Sequence, residues 1–445
     1  MVLGTASRDR ASASGTPHLY VLILMASTTV MNVMDRQLMA VLIDPIKRDL
    51  GVSDAAMGLL TGTSFVILHV GASIPIAIWA DRGVRRSIIA LGLGLWSGLT
   101  MLTGFARGFT EMFVIRVGVG IGEASGGGPA QSLLADTFPP ERRATALAVL
   151  VMGGPLGSMV AFAGGGWLGE IYGWRAAFVI FGAPGLLLAL LIRFTLKEPT
   201  RGAFDLAERR DSSDASGGEP PRMSVASALR FLVSVPALRW LTLASGLNSI
   251  GLYAILIWAV PYMTRVHEMG TGEAGTRLAI ASGLFTALGT FACGPVADRL
   301  ASSDVRWLGW LPSITSAAVV PFAWGFALAP DSTWASLLVA PASFLAGTYF
   351  GPVFSGVQTL AAPQMRALAA ACVTICNTIL GLGVAPPLVG WLNDVWASAY
   401  GAEAIRYSLA LVLSVHLIAA IVLALAARTL AADLSAKDRF LEARR

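Results

Sequence analysis

Ala80-Asp81-Arg82-Gly83-Val84-Arg85-Arg86 is a short charged loop between two long apolar runs, and its start returns as Ala297-Asp298-Arg299, 217 residues later. Two more matches lie at nearly that offset. Pro140, Arg143, Ala144 and Ala146 return as Pro363, Arg366, Ala367 and Ala369 at 223, and Trp167-Leu168-Gly169-Glu170 returns as Trp391-Leu392-Asn393-Asp394 at 224. One match could be chance. Three, each at the same end of the corresponding apolar run, argue for two related halves.

Outward from these loops, apolar runs long enough to span a bilayer recur along the chain. Helices are expected near 18–43, 56–80, 87–106, 109–136, 143–168 and 174–196. A second set is expected near 238–264, 274–299, 306–328, 333–361, 367–391 and 404–429. The fold expected is an all-α integral membrane protein of about twelve transmembrane helices in two pseudo-symmetric six-helix bundles, 18–196 and 238–429. The polar stretch 197–237 reads as a linker: Asp205 to Pro221 is too polar to bury a core. Residues 1–17 and 430–445 read as tails.

Composition agrees. Of 445 residues, 55% are hydrophobic and 13% charged, where a soluble domain carries about 25% charged residues. The excess apolar surface must face lipid. The 48 Gly and 22 Pro suit membrane helices, in which small residues allow close packing. Cys293, Cys372 and Cys376 all fall in apolar segments, so neither a disulfide framework nor a metal site is expected. The stretch 1–17 is polar, and the apolar run after it is too long for the core of a cleavable signal.

The net charge of +5 is explained by position. With the N-terminus inside, 23 Lys and Arg fall on the inner side and 7 on the outer, with Arg36 and Arg116 inside helices. This predicts a plasma (inner) membrane protein with both termini cytoplasmic. Lys47 and Arg48, in the first outer loop, are exceptions.

Charge inside a bilayer costs about 2.5–3.5 kcal/mol on insertion scales and usually marks function. Asp35 and Arg36 lie in the first helix. Adjacent helical positions point about 100° apart, so they are not expected to pair with each other. Glu123 lies in the fourth helix with Arg116 two turns earlier on the same face, as its candidate partner. Asp35 and Glu123 are candidate proton carriers, and Arg36 and Arg116 candidate tuners or anion binders. A structural ion pair is the alternative for each. Asp81, Arg82, Arg85 and Asp136, with Asp298 and Arg299 in the second half, are candidates for a gate at the inner mouth. Gly153-Gly154-Pro155-Leu156-Gly157 and Gly164-Gly165-Gly166 allow a kink or tight helix contact. His69 and His416 read as structural.

The halves differ in charge. Asn32 aligns with Asn248, which puts Gly251 and Leu252 opposite Asp35 and Arg36, and the tenth helix carries no charge. A cavity charged on one side and lined on the other by Tyr253, Trp258, Tyr262, Tyr349 and Phe350, with Asn32 and Asn248 between, suits an amphipathic substrate; facing lipid is the equal alternative for each of these aromatic side chains.

Asp81-Arg82…Arg85-Arg86 and its echo at Asp298-Arg299 resemble the signature loops of the major facilitator superfamily, over nearly the whole chain. Ala77 stands where the motif usually opens with glycine, Gly294 keeps that glycine in the second half, and Gly83 precedes the usual loop position. Asn32-Val-Met-Asp35-Arg36 together with Gly120-Ile-Gly-Glu123-Ala124 looks like the Spinster branch. That resemblance implies a proton-linked carrier, of lysolipids or sphingoid phosphates in the animal members, with Asp35, Arg36 and Glu123 at functional positions. It implies a small amphipathic substrate and protons as partners, no cofactor, no nucleic acid and a monomer in the bilayer. Other readings are a multidrug or organic-anion exporter of the same fold, and a non-transporting sensor or scaffold. An enzyme is not expected: no phosphate loop, metal cluster or nucleophile–base set occurs, and the alternating glycines at 118–122 lie within a membrane helix.

Overall fold

The computed structural model describes residues 18–201, 233–361 and 365–442, and all regular structure among them is helical. The N-terminal tail, 202–232 of the expected linker, Pro363 of the second repeat and the last three residues lie outside the described residues.

Nine helical runs among the described residues are long and apolar enough to cross a membrane. The first three are α1 (His18–Val41), α2 (Asp54–Arg82) and α3 (Arg85–Thr103). Phe109–Glu123 and Gly127–Thr137 together make α4. The run Pro140–Thr195 has 56 residues, about 84 Å of helix and far more than one crossing needs. Gly173 breaks it at φ 80°, ψ 160°, a backbone region that costs glycine nothing, and so separates α5 (140–172) from α6 (174–195). Next come α7 (Pro236–Val266), α8 (Thr271–Ser303), α9 (Trp307–Ala327) and α10 (Ser332–Leu360). The last run, Leu368–Ser435, has 68 residues. It turns at Gly401, φ 54°, between α11 (366–400) and α12 (404–442). Twelve crossings result among the described residues.

Helix starts follow the sequence. Ser53 caps α2 by accepting from the Ala56 N–H at 3.2 Å, and Asp331 caps α10 through the N–H groups of Thr333 and Trp334, both at 2.9 Å. Pro236 occupies the first turn of α7, where its missing N–H is harmless. Large apolar side chains such as Phe194, Phe105 and Ile171 point outward, as lipid contact requires. Lipid tails are as apolar as leucine, so packing rather than the hydrophobic effect joins the helices.

A π-helical turn interrupts each of α2 (Leu59–Thr63), α5 (Ala161–Gly165), α8 (Ala279–Leu284) and α11 (Thr378–Val384). These are the second and fifth helices of each half, so the repeat seen in the loops is also present in the backbone.

The chain forms two compact units. One contains α1 as far as Arg36, Ile67–Ser158 and the chain from Arg175 onward through α6. The other contains Gln37–Val66, Met159–Trp174 and the whole second half. Here the side of the fold on which α1 begins is the near side, and the side on which it ends is the far side. The second unit therefore holds the far-side ends of α1, α2 and α5. Its core joins α7, α10, α11 and α12 through Leu241, Val353, Val357, Val373, Leu423 and Leu430.

Candidate functional site

In the first unit, α1 and α4 bring four charged side chains together. Asn32 and Arg36 are one turn apart on α1, and both reach Glu123 on α4. Asn32 Nδ2 donates to Glu123 Oε2 at 2.8 Å, Arg36 Nη2 donates to Asn32 Oδ1 at 2.5 Å, and Arg36 Nε lies 3.2 Å from Glu123 Oε2. Glu123 is buried, whereas the Arg36 side chain keeps 22% exposure. Asp35 turns the other way and faces Arg116, with Nη1 to Oδ1 at 3.6 Å. The pairing is thus crosswise between helices: Asp35 with Arg116, and Arg36 with Glu123. Sequence reasoning had offered Arg116 as the partner of Glu123. Seven residues are about 10.5 Å of helix rise, and the facing helix supplies a closer partner for each.

The register of α1 is set by its neighbour α5. A Cβ on Gly157 would lie 2.5 Å from the Val30 carbonyl oxygen and 3.1 Å from Met34 N. Only glycine lets the two backbones come so close, one turn below Asp35. Arg116 has no exposed side-chain surface. Its guanidinium nitrogens and both Asp35 oxygens lack a hydrogen-bond partner among the described residues. A buried ion pair at 3.6 Å without supporting hydrogen bonds repays its desolvation poorly. His69, on α2, lies beside this group with Nδ1 3.1 Å from the Gly120 carbonyl.

The near-side loop gathers around Arg85. Its side chain meets Asp136 at 2.5 Å, Glu198 at 2.8 Å, and the carbonyl and hydroxyl of Ser132 at 3.1 and 2.9 Å. Arg86 donates to the Leu196 carbonyl at 2.6 Å. The start of α3, the end of α4 and the chain after α6 are therefore clasped by one guanidinium. Asp81, Arg82, Asp298 and Arg299 are exposed, and among the described residues their side chains make no ion pair.

In the second unit Asn248 is buried. Ser316 Oγ donates to its Oδ1 at 2.9 Å, and His416 Nδ1 lies 2.8 Å from the same oxygen. Tyr349 is buried with its hydroxyl 3.0 Å from Ser249 Oγ, and it stacks on Phe350 at 4.4 Å. Trp258 and Tyr262 are buried and donate to the carbonyls of Pro386 and Phe326 at 3.0 and 2.8 Å. Tyr253 keeps partial exposure.

Sequence reasoning missed a second charged group, on the far side of the second unit. Arg265, in the last turn of α7, binds Asp44 through Nε at 2.8 Å and Nη2 at 2.6 Å, and also contacts both oxygens of Asp54. Lys47 meets Asp54 at 2.5 Å, and Asn393 donates to Asp54 at 2.9 Å. Asp394 accepts from the backbone N–H groups of Asp54 and Ala55 at 3.0 and 2.8 Å. Thr264 donates to Asp44 at 2.8 Å. The signal available in the sequence was Lys47 and Arg48, which broke the charge rule.

Among the described residues no group of His, Cys, Asp and Glu could hold a metal ion. Known proteins fit this architecture. Residues 25–382 match the family described as Major Facilitator Superfamily. The chain is 32% identical over 415 residues, 93% of it and 94% of the relative, to an MFS-type efflux pump of Mycolicibacterium smegmatis. It is 29% identical over 199 residues to protein spinster homolog 1 of Xenopus tropicalis, covering 44% of this chain and 38% of that one. Among solved structures, a bacterial homolog of the human lysosomal transporter Spinster, inward-facing and unoccupied, superposes with a TM-score of 0.85 at 28% identity, over 94% of this chain and 98% of the other. The occupied form of that homolog gives a TM-score of 0.82 at 27% identity, over 93% and 98%. With twelve crossings, repeated halves and these relatives, the chain belongs to the Major Facilitator Superfamily, in its Spinster-like branch, and is a membrane transporter rather than an enzyme.

Proposed function

We propose that the protein is a proton-coupled secondary transporter that moves an amphipathic small molecule, such as a lysolipid or sphingoid phosphate, by alternating access. The observation that carries this reading is the crosswise pairing of Asp35 with Arg116 and of Arg36 with Glu123. A proton on Glu123 cancels its attraction for Arg36. The partly exposed guanidinium, still bonded to Asn32, then turns its charge toward an anionic head group. Loss of that proton re-forms the pair and expels the head group. Asp35 and Arg116 form a second site of the same kind, fully buried, where a change of protonation alters helix packing. Tyr253 and Phe350 remain candidates for contact with the apolar part of the substrate, and Asn248 and Tyr349 take part through their hydrogen bonds. Arg85 and Asp136 serve as the near-side gate, with Asp81, Arg82, Asp298 and Arg299 as its surface charges. The near side is cytoplasmic, the protein works as a monomer in the plasma membrane, and 197–237 links bundles 18–196 and 238–429.

The test is lysophospholipid movement in reconstituted vesicles, with and without an imposed pH gradient, for wild type, Asp35→Asn and Glu123→Gln. Gradient-driven movement that both substitutions abolish supports the reading. Movement indifferent to pH and to both substitutions leaves a facilitator.

A second reading has its own support: the M. smegmatis relative that the chain matches over most of its length is described as an efflux pump. If a hydrophobic cation is moved and the lysophospholipid is not, the protein is a drug exporter on the same scaffold.

A further inference from the structure

We propose that Arg265 is the keystone of a far-side charge latch, which joins the first half to the second and must part each time the transporter opens to that side. The proposal rests on the alternating-access reading and adds to it a second gate that the sequence motifs do not mark.

The geometry is specific. Asp44 belongs to the short helix Ile43–Leu50 that follows α1, and Asp54 begins α2. Both come from the first half. Arg265, Asn393 and Asp394 come from α7 and α11 of the second. One guanidinium holds two carboxylates from two different elements, a fork geometry that lysine cannot reproduce. Asp394 adds a cap on the start of α2, where the helix dipole favours a carboxylate. The contacts around the latch are close: a Cβ on Gly58 would lie 2.4 Å from the Pro386 carbonyl oxygen, and one on Gly62 would lie 2.1 Å from that of Leu382. Thus α2 and α11 touch backbone to backbone beneath the charges, and Thr63 donates to the Gly383 carbonyl at 2.7 Å.

The charges set the bias. Asp44 and Asp54 both face Arg265, Asp54 also pairs with Lys47, and the Lys47 side chain is one-third exposed. Without Arg265, Asp54 would keep Lys47 and Asn393 while Asp44 would keep Thr264, one cation for two carboxylates, and their repulsion would push the short helix and α2 away from α7. This also explains Lys47 as an exception to the orientation rule: it serves the latch. Arg265 is a positioning residue, since it holds helices and need not touch the substrate.

The experiment reads exposure, so it needs no knowledge of the substrate. Cys293, Cys372 and Cys376 are replaced by Ala in the full chain, and one reporter cysteine is placed at Leu382, buried where α11 meets α2. A control cysteine is placed at Ala426, buried in the core of the second half. Each is labelled with a membrane-impermeant maleimide in nanodiscs, with and without Arg265→Gln. The expected result is labelling at 382 faster by about tenfold, the size of an ordinary coupling between two states, with 426 unchanged. Asp54→Asn should give a smaller shift in the same direction, and it serves if Arg265→Gln does not fold. Unchanged labelling at 382 in folded protein overturns the latch. Labelling that rises equally at 382 and 426 also overturns it, because that is general loosening. If lysophospholipid transport fails while labelling responds as expected, the substrate assignment is wrong and the latch stands.

Discussion

A Cβ placed on Gly251 would lie 2.2 Å from Nε2 of His416. The imidazole of α12 fills the space at the very position that the repeat aligns with Asp35. Its Nδ1 is held by Asn248, itself the counterpart of Asn32, so the ring cannot swing away cheaply. Asn248 Oδ1 only accepts, so His416 donates from Nδ1, and its Nε2 has no hydrogen-bond partner among the described residues. Gly251→Ala should therefore lower stability by about 1–3 kcal/mol through overpacking. The double substitution Gly251→Ala with His416→Ala should recover much of that loss. Thermal unfolding in detergent for the four proteins checks it, and additive losses would contradict the account.

Asp35 and Arg116 test the buried pair. Removing one partner leaves an uncompensated buried charge, which costs about 3–5 kcal/mol. Arg116→Leu should be far more damaging than the double substitution Arg116→Leu with Asp35→Leu. A double-mutant cycle on unfolding midpoints reads the difference.

Arg85→Lys should not behave conservatively. A lysine offers one point of charge where Arg85 engages Asp136, Glu198 and Ser132 in different directions. The expected loss is about 1–3 kcal/mol, and the chain around Glu198 should gain hydrogen-exchange rate. Protection there that matches wild type would refute the clasp.

His267 lies just beyond the end of α7. Burial, followed by the nearby charge of Arg406, holds its imidazole below the ordinary histidine value. Tyr262 gives its hydroxyl hydrogen to the Phe326 carbonyl, so His267 donates from Nε2 to the Tyr262 oxygen at 2.9 Å. The folded state thus binds this proton less readily than the unfolded chain. Its contribution to stability is full above about pH 6.5, the unperturbed histidine value, and falls as pH drops below that. His267→Gln should flatten the acid limb of the stability profile, measured as unfolding midpoint from pH 7.5 to 5. An unchanged slope would assign that limb to other groups.

Much of this was legible beforehand, for physical reasons. Bilayer thickness fixes helix length, so the crossings showed as apolar runs, and the Asp81-Arg82 and Asp298-Arg299 loops showed the repeat. Asp35, Arg36, Arg116 and Glu123 were conspicuous because a charge within a span is expensive. Their crosswise partners were not legible, because pairing between helices depends on rotation about each axis, which adjacent sequence does not encode. Asp44 and Asp54 looked like ordinary loop acids, and Arg265 like a helix-end cation. Only the chain crossing that joins α7 to α2 gives them a common purpose.

The π-helical turns of α2, α5, α8 and α11 carry a further consequence. Each such turn holds one residue more than an α-helix would use over the same length, so it acts as a built-in spacer. Deleting Gly62 would remove the spare residue and let α2 wind regularly over the same length, with Asp54 still turned toward Arg265. Deleting a residue from the regular stretch just after this turn would instead rotate everything before it by about 100°, and Asp54 would face away from Arg265 although every residue of the latch was still present. The spacing of these helices is thus counted in single residues, and a one-residue deletion outside the π-helical turn should disable the far-side closure more thoroughly than many substitutions.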